Sequence, residues 1–172
     1  MSGAKASERA TGHVKVLVTL DGSGFASQVI PYVVRVLRPD THALTLLRVA
    51  PVPEGYAPLP PRPLPLDAWT AADGLPGGDP PVYYSQEYES AVANLAEELF
   101  DEGRRLEAAG FEVEPYVRFG DAADEIVAAL KEHGHELIVM ATHGRSGIGR
   151  MLLGSVADAV LRRVHVPVMM VR

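Results

Sequence analysis

The sequence predicts one α/β domain, a doubly wound five-stranded parallel sheet with helices on both faces. Three observations carry that prediction. Short β-branched apolar runs alternate with longer stretches whose apolar residues recur at helical spacing. Strands that alternate with helices build parallel sheets through right-handed crossovers. The strand runs are apolar at almost every position, as strands covered on both faces are.

The first strand is Val14–Leu20, which stops at the turn cluster Asp21-Gly22-Ser23-Gly24. Phe25 to Leu37 follows as a helix, with apolar residues at Ala26, Val29, Ile30, Val33, Val34 and Leu37 and Ser23 as its N-cap. Pro31 sits inside that pattern and predicts a kink, because it removes a backbone donor. After Pro39-Asp40, Ala43–Val49 is a second buried strand. The composition then shifts: ten of the fourteen prolines lie between residues 51 and 81. Residues 51–84 are therefore expected to be an irregular excursion or partly mobile loop, read as a proline-rich insertion, with a lid or a partner-binding arm as alternatives.

Helical spacing returns from Ser85, with Tyr88, Val92, Leu95, Leu99 and Leu106 along one stripe and Gly110 as the stop. Phe111–Phe119 is a third strand. Gly120-Asp121 opens a helix through Ile126, Val127 and Leu130 that ends near Gly134. Glu136–Met140 is a fourth strand. A glycine-rich loop leads into a helix carrying Leu152, Leu153, Val156, Ala159, Val160 and Val164, and Val166–Val171 is the last strand. Met1–Gly12 is small and polar and reads as a frayed tail, so the domain is expected to span 13–172.

Composition narrows the function classes. With no cysteine, disulfides, cysteine nucleophiles and thiolate metal sites are excluded, and a cytoplasmic location is expected. No apolar run reaches the ~18 residues of a membrane span. The net charge of −6 argues against non-specific nucleic-acid binding. That charge is uneven: residues 85–136 hold four basic and fourteen acidic side chains, whereas residues 141–172 hold five basic and one acidic. The basic last quarter suits a small anion.

In doubly wound sheets, ligands sit at the carboxyl ends of the strands where the winding reverses. The loops after the first and fourth strands, Asp21-Gly22-Ser23 and Ala141 to Gly149, are the candidates. The second is the richer in chemistry. Its glycines let backbone amides approach an anion, the following helix offers unpaired N–H groups, Ser155 adds a hydroxyl, and Arg145 and Arg150 add charge. It is neither a dinucleotide fingerprint nor a P-loop: Gly144-x-x-Gly147-x-Gly149 has the wrong spacing for the first, and Arg150-Met151 stands where the second needs Lys-Ser/Thr.

Gly144, nine intervening residues and then Gly154-Ser155 resemble the nucleotide loop of universal stress proteins, with Ala141 in place of that pattern's first glycine. Val18-Thr19-Leu20-Asp21-Gly22-Ser23, Gly120-Asp121 and Val166-Pro167-Val168 also resemble that family in order. The resemblance covers about residues 13–50 and 84–172 and implies an adenine nucleotide α-hydrolase-like fold that binds ATP, with or without magnesium. It implies that Thr19 and Val49 line the adenine pocket and that Asp21 lies near adenine and ribose. Met140, Ala141, His143 and Gly144 would border the ribose and phosphates; Arg145, which the motif does not fix, is a further candidate to lie near phosphate. Gly154, Ser155 and Val156 would supply donors to phosphate. It also implies a homodimer formed through the last strand, 166–171, an apolar ribbon if it lies at the edge.

No serine–histidine–acid set can be placed, and His133-x-His135 has no third metal ligand in view. The leading expectation is a nucleotide-binding stress-response or signalling protein, not an enzyme. Two alternatives stay open: an adenylyl- or phosphoryl-transferring enzyme of the same α/β group, and a nucleotide-free interaction module.

Overall fold

A computed structural model describes residues 12–20, 28–52, 62–63, 86–142 and 153–171. The elements are β1 (Val14–Leu20), α1 (Val29–Val36), β2 (His42–Ala50), β3 (Arg62–Pro63), α2 (Gln86–Ala108), β4 (Glu112–Phe119), α3 (Ala122–His133), β5 (Leu137–Ala141), α4 (Ser155–Leu161) and β6 (Val168–Val171). The sheet order is β3-β4-β2-β1-β5-β6. The five longer strands are parallel, and β3 joins β4 antiparallel. The expected doubly wound parallel sheet is therefore present.

The two-residue period of the strands sorts the core into two layers. Val16, Val18, Leu44 and Leu46 face α1 and α2 and pack with Val29, Val33, Leu99 and Leu106. Leu17, Leu47, Tyr116, Ile138 and Met140 face the other way and pack with Ala123, Ile126, Leu130, Ala157 and Val160 of α3 and α4. Leu95 packs partly buried along the α2 stripe; the side chains of Tyr88 and Val92 are not among those described.

Several details differ from the expectations or lie outside the described residues. Pro31 does not kink α1. It stands in the first turn, where backbone N–H groups have no intrahelical acceptor to lose. The residue preceding α1 is Gln28, which makes no side-chain cap bond, and Ser23 lies outside the described residues. Within residues 51–84, Arg62–Pro63 pairs with Val117 and Tyr116, a short strand that the sequence did not predict. On α4, Ala157 and Val160 take the buried face and Val156 is 37% exposed, which is compatible with its expected place beside a ligand. The last strand begins at Val168, with Pro167 ahead of it contributing only its carbonyl, to the Ile138 N–H at 3.1 Å.

The ends of α3 match their sequence signals. The Asp121 carboxylate accepts from the amides of Ala123 and Asp124, both at 3.0 Å. Gly134 closes the helix at φ 65°, a left-handed conformation that glycine takes without a Cβ penalty.

Candidate functional site

β1 is flanked by β2 on one side and β5 on the other, so the chain winds away from it in two directions. The carboxyl ends of β1 and β5 therefore form the crevice where such sheets take ligands. Thr19 and Val49 are half-buried there, Met140 is buried and Ala141 is half-buried.

The chain leaves β5 under tight control. The Thr142 amide donates to the Val171 carbonyl at 2.8 Å, and the Gly154 amide returns to the Thr142 carbonyl at 2.9 Å. Thr142 and Gly154 thus meet where β5 ends and α4 begins. Gly154 then caps α4, and the first helical bond runs from the Asp158 N–H to the Gly154 carbonyl at 2.9 Å. The amides of Ser155, Val156 and Ala157 precede that bond, which makes them donors without an intrahelical acceptor. Ser155 and Val156 are exposed at this end of the sheet. The helix is braced from behind by an ion pair from Arg163 to Asp124 of α3 at 2.6 Å, and Arg162 holds Asp158 within α4 at 2.9 Å. That arginine's hydrogen bond keeps the Asp158 carboxyl below its ordinary range.

Of the residues expected at the site, Thr19, Val49, Met140, Ala141, Gly154, Ser155 and Val156 lie at the strand ends and the start of α4 that flank this crevice. Asp21, His143, Gly144, Arg145 and Arg150 lie outside the described residues. One residue nearby was missed. Arg48, 4% exposed, pairs in register with Leu20 and its Nη1 donates to the Leu20 carbonyl at 3.4 Å. Its signal was a single arginine inside the apolar run Leu44-Thr45-Leu46-Leu47-Arg48-Val49.

A second buried arginine lies on the other layer. Arg118, 2% exposed, donates through Nη1 to the Glu125 carboxylate at 3.1 Å, while its Nη2 contacts the Glu132 carboxylate. It also lies over the Tyr116 ring, 5.9 Å from the centroid. Burial raises the Tyr116 phenol above its ordinary pKa, against the pull of Arg118.

At the opposite end of the sheet, His133 and His135 do not converge on a common point. Their ring centroids are 5.7 Å apart; His133 meets Tyr116 edge-on, and His135 Nε2 lies 2.9 Å from Thr45 Oγ1. Burial lowers the His135 pKa to about 4, outweighing the Ala129 carbonyl that favours its proton, and His133 and Lys15 push the same way. Among the described residues, no group of three or more histidine or acidic side chains is gathered for a metal, and no helix is long and apolar enough to cross a membrane.

A family model described as the universal stress protein family matches residues 13–172. Universal stress protein YxiE of Bacillus subtilis is 26% identical over 160 residues, covering 92% of this chain and 98% of that protein. Universal stress protein MJ0577 of Methanocaldococcus jannaschii is 32% identical over 92 residues, which span 51% of this chain and only 57% of that protein. Among solved structures, a universal stress protein in complex with cAMP superposes with a TM-score of 0.61 at 20% identity, over 94% of this chain and 98% of that one. The universal stress protein of Archaeoglobus fulgidus in complex with dAMP superposes with a TM-score of 0.56 at 17% identity, over 93% and 98%. At these identities, the superpositions establish the fold.

Proposed function

Because the chain belongs to the universal stress protein family, we propose that it is an ATP-binding, non-enzymatic member whose nucleotide occupancy regulates a cytoplasmic stress response. The observation that carries this reading is the bond between Gly154 and Thr142, which sets the amide-rich start of α4 at the exit of β5, the strand next to β1 at the winding reversal. An arrangement of main-chain donors with little side-chain bulk suits a polyphosphate. Structural neighbours complexed with cAMP and dAMP support an adenine nucleotide as the ligand class.

In this reading, Thr19, Asp21 and Val49 hold the adenine and ribose, and Met140, Ala141, His143 and Gly144 border the ribose and phosphates. Arg145, Gly154, Ser155 and Val156 take the phosphates, with magnesium as their counter-ion where present. The domain runs from 13 to 172, with 51–84 as an insertion. Two copies join through β6, whose Val168, Met169 and Met170 are half-buried at the end of the sheet.

The test is to purify the chain without added nucleotide, denature it, and identify any released small molecule by mass. ATP in near-equal amount to protein, with a rise in melting temperature when ATP and magnesium are added to stripped protein, is the expected result. No released nucleotide together with no thermal shift overturns the reading.

A further inference from the structure

We infer that β3 is an internal edge cap: Arg62–Pro63 occupies the part of β4 still able to pair with a foreign strand, and so closes one side of the sheet to other copies of this chain. The inference deepens the proposed function, and rests on it only in taking β6 as the edge through which copies join.

The outer edge of β4 can be read donor by donor. The Gly120 amide donates to the Ala50 carbonyl of β2 at 2.9 Å. Backbone groups of successive strand residues point alternately to the two sides, so Arg118, Tyr116, Glu114 and Glu112 also turn theirs towards β2. Phe119, Val117, Pro115 and Val113 turn theirs outward. Proline belongs on that outward set, where its missing N–H leaves no gap in the β2–β4 ladder. Pro115 interrupts the outward donors between Val113 and Val117, and the exposed Glu112 and Glu114 guard the first half of the strand with negative charge. The remaining pairing site is centred on Val117.

Arg62 stands opposite that residue. In the antiparallel register Arg62↔Val117 and Pro63↔Tyr116, the first pair has both residues' backbone groups turned towards each other. The second has them turned away, so Pro63 loses nothing by lacking an N–H. A proline at 63 and an N–H-bearing residue at 62 are what this register demands. At the other end of the sheet, β6 has no further strand on its outer side among the described residues. One edge is blunted by charge, proline and β3, and the other is apolar, which fits a closed two-fold pair and not an open chain of copies.

The test uses the full chain, Arg62→Pro, and Arg62→Pro combined with Pro115→Val, which restores the missing outward donor. Hydrogen exchange at Val117 and molar mass by light scattering are measured over a range of protein concentrations. In the wild type, the Val117 amide is expected to exchange at least about tenfold more slowly than an unpaired amide. Both variants should lose that protection when dilute and form species larger than the wild type when concentrated, the double variant at the lower concentration. An unprotected Val117 in the wild type overturns the cap, as does a double variant that keeps the wild-type mass throughout. A monomeric wild type defeats the proposed β6 dimer, while the cap is still judged by the variants relative to it; absence of bound nucleotide bears on neither.

Discussion

The Gly154 amide and the Thr142 carbonyl lie 2.9 Å apart, so the start of α4 is fixed to the end of β5. Gly154 itself has φ −60° and ψ 150°, a conformation open to any residue. Glycine is therefore not required there by backbone strain. Gly154→Val should leave the melting temperature within about 3 °C of the wild type. It should weaken ATP binding by at least about a hundredfold, because its branched Cβ fills space meant for phosphate, with Gly154→Ala in between. Calorimetric titration beside a thermal melt measures both, and unchanged affinity in the valine variant removes Gly154 from the cradle.

His135 makes the fold acid-sensitive in a defined window. Unfolded, the imidazole titrates near its ordinary value of 6.5; folded, burial holds it to about 4. Above pH 6.5 both states are neutral and this group contributes no pH dependence. As pH falls from 6.5 to 4, the unfolded chain binds a proton that the folded chain refuses. Stability should drop across that interval by about 2–3 kcal/mol from this residue. Urea melts at closely spaced pH values should show a shallower decline for His135→Gln, and identical slopes would remove His135 as the cause.

Arg118→Ala should destabilise the fold by about 3 kcal/mol, because it leaves a void where the buried arginine stood and deprives the mostly buried Glu125 of its cation. Glu132→Gln should cost less than about 1 kcal/mol, since that side chain is 51% exposed and water replaces the lost contact. Equilibrium denaturation of the two variants gives the comparison. Equal losses would show that the Glu132 contact, and not the buried pair with Glu125, carries the arginine's contribution.

The two ends of α3 should each carry about 1 kcal/mol. Asp121→Ala removes the acceptor for the Ala123 and Asp124 amides, and Gly134→Ala forces a Cβ into a left-handed turn. The sites lie at opposite ends of the helix, so the double variant should lose about the sum. A strongly non-additive result in urea denaturation would mean that the helix frays as one unit.

The architecture was legible because a parallel sheet buried on both faces writes its strands as apolar runs, as in Val14–Leu20 and Leu137–Ala141. Asp121 and Gly134 marked α3 because capping needs those side-chain and backbone chemistries. β3 was invisible because two residues carry no periodicity, and one of them is proline. The expected kink at Pro31 depended on where α1 starts, and a helix boundary is the weakest part of a periodicity argument. At the candidate site, topology singled out the strand ends, and the resemblance to the family's nucleotide loop singled out Gly154-Ser155. Arg48 was not, because which carbonyl a strand arginine reaches is decided by its cross-strand neighbour, Leu20.

Arg118, Glu125 and Glu132 form a set of three in which no member is replaceable alone without loss. Loss of the arginine or of Glu125 leaves its partner's charge poorly compensated, so substitutions at 118 and 125 should travel together through descent, with Glu132 freer to change. In lineages where the arginine gave way to an apolar residue, the two glutamates of α3 should have been released to vary like other surface positions.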